Sequence, residues 1–193
     1  ALFLLYSNKL LLSYLFRAYQ QAVKFAAMQE KYLDIGSPSI IGTASFHFYD
    51  SLARLAVYPD VPKPEQKRIL RKVAANQKKM KKWARYAPMN VLHKFYLVEA
   101  ERARILGKDH KAMGYYDKAI ALAREHEYIN EEALANELAA RFWLAQGRAD
   151  FAQLYMKKAR HAYQRWGAKR KVQDLEENYP QLLKDGLHLE GGV

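Results

Sequence analysis

One spacing constrains this chain more than any other. Setting Gly107 on Gly147, an offset of 40 residues, brings Ala100 onto Ala140, Ala112 onto Ala152 and Ala119 onto Ala159. In each copy a helical run ends at the glycine, an alanine follows five residues later, and another follows seven after that. A helix–turn–helix unit of this length cannot bury its apolar face alone, so neighbouring copies must stack on one another. The period therefore predicts an all-α array of helix pairs, which offers surface for contact more readily than a catalytic cavity.

Composition agrees where it bears on this. Half of the 193 residues are hydrophobic and only six are proline, which favours a folded helical chain over disorder. Cysteine is absent, which excludes disulfides and thiolate metal sites and is compatible with a reducing compartment, so a cytoplasmic location is expected. The opening run Leu2-Phe3-Leu4-Leu5-Tyr6 is too short to cross a membrane and is followed by Asn8 and Lys9, so no membrane insertion is expected. It lacks the flanks of a signal peptide. The chain starts at Ala1 without methionine and reads as a piece of a longer polypeptide.

Periodicity and breaks predict about nine helices, over 2–15, 17–33, 39–57, 65–86, 88–106, 110–125, 130–145, 149–165 and 168–178. Leu5, Leu12 and Leu15 are expected among the inward positions of the first. The first pair is a worn copy of the repeat, with Arg17 where later copies carry glycine. Asp34-Ile35-Gly36-Ser37-Pro38 is a strong break, and 58–64 is a proline-rich connector. Phe46, Tyr49, Leu52, Ala53 and Ala56 form one apolar face, and Asn130 is the expected N-cap of the seventh helix, with Glu131 and Glu132 in its first turn. One domain is expected over 1–183, with 184–193 a frayed tail.

Charge is unevenly spread. The net +12 contains +9 within 61–87 and +7 within 157–171, leaving −4 for the rest. In the fourth helix Ile69, Val73, Asn76, Met80, Trp83 and Ala87 step by threes and fours as a packing seam. Asn76 is expected to meet a neighbouring backbone group there. Arg68, Arg71, Lys72, Lys78, Lys79, Lys81, Lys82 and Arg85 cover the opposite half. They form either a solvated outer face or a surface for nucleic acid or an acidic protein. Glu125, Glu127, Glu131, Glu132 and Glu137 either bind a cation or a basic partner or, as is commoner, cap a helix and face water, and His93 and His161 read as ordinary packed or surface histidines.

The glycine and two alanines of each copy resemble the tetratricopeptide (TPR) signature, with Ala100 and Ala140 at its small position and Trp143 at its aromatic one. Ala103 departs from that aromatic position, and the 40-residue spacing exceeds the family's usual period. Phe48 to Ala56, Asn76-Gln77, Trp83-Ala84, Leu97 to Glu101, Asn136 to Ala140 and Trp166 to Lys169 also resemble one helical region of large bacterial signalling proteins. Those proteins join a serine/threonine-kinase-like domain, a STAND-type ATPase, this region, a GAF domain and a histidine kinase. The resemblance implies a TPR-like superhelix of antiparallel helix pairs acting as a scaffold or sensor segment. It further implies a partner-receiving concave surface at Lys94, Leu97, Glu101 and Arg104 in one copy and Leu134, Glu137, Arg141 and Leu144 in the next, suited to an extended peptide or another domain's helix.

Catalytic signatures are missing from the sequence. It contains no phosphate-binding Gly-x-x-x-x-Gly-Lys loop, no kinase His-Arg-Asp or Asp-Phe-Gly, no His-Glu-x-x-His and no Glu three residues before a histidine. The expectation is a non-enzymatic, cofactor-free module that binds a protein, a peptide or other domains of the same polypeptide. The alternative is a nucleic-acid-associated regulator using the basic helix 65–86.

Overall fold

The computed structural model describes residues 2–33 and 39–183, which are all helix and turn with no strand. In chain order the helices are α1 (Leu2–Leu15), α2 (Tyr19–Glu30), α3 (Ile40–Val57), α4 (Lys63–Ala84), α5 (Pro88–Ile105), α6 (Asp109–Glu125), α7 (Ile129–Ala145), α8 (Ala149–Trp166), α9 (Lys169–Asn178) and the single turn α10 (Pro180–Leu183). The predicted break at 34–38 and the predicted frayed tail at 184–193 lie outside the described residues. Ser39 caps α3, its hydroxyl accepting from the Gly42 N–H at 3.1 Å. α4 starts two residues earlier than the spacing predicts, because Pro64 sits in its first turn, where a missing N–H costs nothing.

Each helix packs on the next, and α1 also meets α3, α3 meets α5, and α5 meets α7. The odd-numbered helices thus form one layer and the even-numbered ones fit between them in a second, with α9 and α10 closing against α8. The repeat alanines make the close approach possible. Ala100, Ala112, Ala119, Ala140, Ala152 and Ala159 are all buried against neighbouring helices. α7 is buried at every position from Glu131 to Ala140 and divides the core in two. Leu134, Leu138 and Phe142 face the cluster of α1–α6, while Ala133 and Ala140 face that of α8–α10.

Five turns share one geometry. The N–H groups of Ala18, Lys108, Tyr128, Arg148 and Ala168 each donate to the carbonyl five residues back, at 2.8–3.0 Å. The residue before each is left-handed: Arg17 (φ 62°), Gly107 (67°), Glu127 (61°), Gly147 (69°) and Gly167 (82°). This is the Schellman closure of a helix C-terminus. From Gly107 onward the turns recur at 107, 127, 147 and 167, so the 40-residue period is two helices of twenty. At exposed Glu127 the Cβ penalty of the left-handed region is uncompensated. Glu127→Gly is expected to raise the unfolding free energy by about 1 kcal/mol, read from the urea midpoint, and Gly107→Ala to lower it by about as much. The added Cβ at Gly107 meets nothing within 4 Å, so that loss is purely backbone.

Three local expectations are corrected. α1 turns Phe3, Leu10, Tyr14 and Leu15 inward and leaves Leu5 and Leu12 exposed. Asn130 is not the N-cap of α7; Tyr128 holds that place without a side-chain bond, and its hydroxyl donates to Asn90 Oδ1 at 2.7 Å. Asn76 is buried as expected but meets side chains, not backbone.

Candidate functional site

The residues nominated for a partner-binding groove do lie together on the adjacent helices α5 and α7. Glu101, Arg104 and Arg141 line one cleft of about 180 Å³. They do not form an open groove. Lys94, Leu97, Glu101, Leu134 and Glu137 are buried, and Arg104, Arg141 and Leu144 are half-buried. The first helix pair packs over part of this layer. Arg141 donates to the Tyr19 hydroxyl at 2.7 Å, and the Tyr19 ring packs tilted against the buried ring of Tyr14, the centroids 5.5 Å apart.

Burying so many charges requires partners for each, and three carboxylates organise them. Glu131 lies 3.4 Å from Lys94 Nζ and 3.6 Å from His93 Nε2, with the Lys94 ammonium 4.2 Å above the Tyr128 ring. Burial draws both Lys94 and His93 below their usual pKa. Glu101 accepts from Arg104 at 2.7 and 3.1 Å and from the Tyr116 hydroxyl. Burial pushes its pKa up, but Arg104 and Tyr116 outweigh that and hold it below the usual carboxylate range. Glu137 accepts from Lys171 Nζ at 3.0 Å and the Tyr163 hydroxyl at 2.9 Å, with Arg17 at 3.8 Å.

This third cluster joins the two ends of the array. Lys171 also donates to Asp174 at 3.0 Å and to the Leu15 carbonyl at 2.7 Å, while Arg17 grips Asp174 with two bonds of 2.7 and 2.9 Å. The α1–α2 turn is thereby clasped to α9 across 157 residues of sequence. Arg17, Lys171, Asp174, Tyr116 and Tyr163 were not anticipated from sequence. The one signal for them was Arg17 standing at a glycine position, which the clasp explains. Glu125 and Glu127 face water as expected, whereas Glu131, Glu132 and Glu137 do not; Glu132 accepts from Arg124 at 2.8 Å. His93 is packed and His161 exposed.

A fourth polar group lies between α3 and α4. Asn76 Nδ2 donates to Asp50 Oδ2 at 2.8 Å and to Ser51 Oγ at 3.0 Å, which leaves Oδ1 to accept from His47 Nδ1 at 2.9 Å. That network assigns the Nδ1–H tautomer to His47. Burial, helped by Lys79, lowers the His47 pKa to about 4. The unfolded chain therefore takes up a proton near pH 6.5 that the folded chain refuses until about pH 4. Stability is full above pH 6.5 and falls as pH drops, by about 2 kcal/mol between pH 7 and 5 from this group. Urea midpoints at the two pH values check this, with a smaller fall expected for His47→Gln.

The outer face of α4 is the remaining nominated surface. Arg68, Arg71, Lys78, Lys79, Lys81, Lys82 and Arg85 are exposed, as the periodicity predicts. Lys72 is half-buried and pairs with Glu30, and Arg68 meets Glu65 at 3.2 Å. The strip follows a helix of 22 residues, about 33 Å long. Trp83 lies against the core, its ring 5.6 Å from His47, and the exposed aromatic at the strip's end is Tyr86.

Among the described residues no helix is long and apolar enough to cross a membrane. No family model matches the chain, and no solved structure matches it. A stretch of 63 residues, 33% of the chain, is 38% identical to hybrid signal transduction histidine kinase G of Dictyostelium discoideum. That stretch covers 2% of the relative's length, so the likeness concerns one small part of a much larger signalling protein.

Proposed function

We propose that this chain is a non-catalytic, TPR-like superhelix of helix pairs, serving as a scaffold between proteins or between domains of one signal-transduction protein. The observation that carries the reading is the alternating contact pattern, in which α1, α3, α5 and α7 follow one another in contact, with an even-numbered helix between each two. Such stacking creates extended surface and no enclosed site. The 63-residue likeness to a signalling histidine kinase supports the context. The buried charges of α5 and α7 hold the array together, and partners meet its outside. Isothermal titration of the purified chain against the domains encoded beside it is expected to show saturable binding. ATP hydrolysis or phosphotransfer by the chain alone, or no binding to any neighbouring domain, would overturn the reading.

A second reading rests on the outward strip of α4, as a nucleic-acid-associated regulator. Seven exposed cations on one helix face suit a polyanion held by counterion release. Affinity for duplex DNA should then fall steeply with salt, and Lys78→Ala or Lys82→Ala should each flatten the slope by about one unit. No binding at low salt removes this reading.

A further inference from the structure

The outward poles of α1 and α4 differ in kind. On an ideal helix the buried residues Phe3, Leu10 and Tyr14 point one way, and Leu2, Leu5, Lys9, Leu12 and Phe16 fall in an arc of about 80° on the opposite side. At the same pole α4 carries lysine and arginine; α1 carries leucine. Leu2 is 47% exposed, Leu5 45% and Leu12 54%, and their steps of 3, 4, 3 and 4 through Phe16 are those of a helix–helix seam. Lys9, the charged residue within the seam, leans aside, its ammonium 5.4 Å from the Phe25 ring. The stripe runs into a cleft of about 390 Å³ between the end of α1 and the α8–α9 turn, walled by Leu12, Leu15, Phe16, Trp166 and the stem of Lys169.

Packing within the array says what fits there. α3, α5 and α7 each pack against an even-numbered helix on both sides, whereas among the described residues α1 packs closely against one, α2. α1 carries large apolar side chains on its outward as well as its inward side, and an outward apolar face is one that expects to be covered. The rim sets the charge of the cover: Lys9 lies within the seam, Lys169 and Arg170 line the cleft, and α1 contains no acidic residue. The net charge of +12 disfavours a second copy of this chain.

We propose that the outer face of α1, together with the α8–α9 cleft, receives an amphipathic helix of a partner, with an apolar ridge at 3/4 spacing and acidic flanks. The proposal rests on the scaffold reading and names the surface it uses. The probe is a designed 18-residue helical peptide with a leucine ridge flanked by glutamates, beside a twin with lysines for glutamates. Both are titrated into the full 193-residue chain by anisotropy, with tryptophan emission of a Trp83→Phe, Trp143→Phe variant, which retains Trp166, as a second readout. The glutamate peptide is expected to bind at least tenfold tighter than its twin, and Leu5→Lys with Leu12→Lys to lose at least tenfold. Both leucines are exposed, so circular dichroism should show these variants folded. Equal affinity for the two peptides, no binding of either, or binding indifferent to the leucine changes overturns the proposal. So does a wild-type dimer in sedimentation that Leu12→Lys makes monomeric, since the occupant is then a second copy. Domain binding that survives the leucine changes would sink this surface and leave the scaffold reading standing.

Discussion

Replacing Lys171 with methionine is expected to lower the unfolding free energy by about 3–5 kcal/mol, more than any other single exchange considered for this chain. The lysine is 2% exposed and its ammonium serves three acceptors, on Glu137, on Asp174 and at the Leu15 carbonyl. Methionine keeps the length of the stem but leaves a buried carboxylate at Glu137 with only the Tyr163 hydroxyl within 3 Å. Arg17→Met should cost less, about 1–2 kcal/mol, because its side chain is 23% exposed and Asp174 keeps Lys171. Removing the charge on both sides, Lys171→Met with Glu137→Leu, should recover part of the loss. Chemical denaturation of the set checks this, and a Lys171→Met loss under about 1 kcal/mol would show that the clasp carries little of the stability.

Asn76→Leu is expected to cost about 3 kcal/mol although it keeps the branching of the side chain. It removes two donors and one acceptor at once. Asp50, fully buried, is left with Arg54 Nε at 2.7 Å, and the His47 Nδ1–H is left without its acceptor. The His47 Nδ1–H and Asp50 Oδ2 would then be two buried polar atoms without their partners in the centre of α3, the helix that meets α1, α2, α4 and α5. Thermal and urea unfolding test it. A neutral or stabilised variant would mean that the polar group is a tolerated imperfection and not a fixed point of the core.

What the sequence revealed, and what it hid, follows from physics. The turns at Gly107 and Gly147 were legible because glycine is the residue that takes positive φ without a Cβ penalty. The same turn at Glu127 was silent, since glutamate advertises nothing of the kind. The face of α4 was legible because one side is apolar and the other charged. α1 was misread at Leu5 and Leu12 because periodicity chooses a face only when the other face is polar. Of the groove residues of α5 and α7, Lys94, Leu97, Glu101, Leu134 and Glu137 are buried, while Arg104, Arg141 and Leu144 reach the surface in part. A carboxylate such as Glu137 reads as water-facing until its partners are known, and those partners, Arg17 and Lys171, sit far away in sequence. Only the fold brings them together.

The clasp changes how such an array should come apart. A stack of helix pairs held only by nearest neighbours frays from its ends, each outer pair opening before the next. Here the outermost pair at one end is stitched to the last long helix at the other through Arg17, Lys171 and Asp174. Neither end can open without breaking the same buried bonds, so the weakest points of a linear array are made to melt with its middle, and unfolding becomes a single cooperative event.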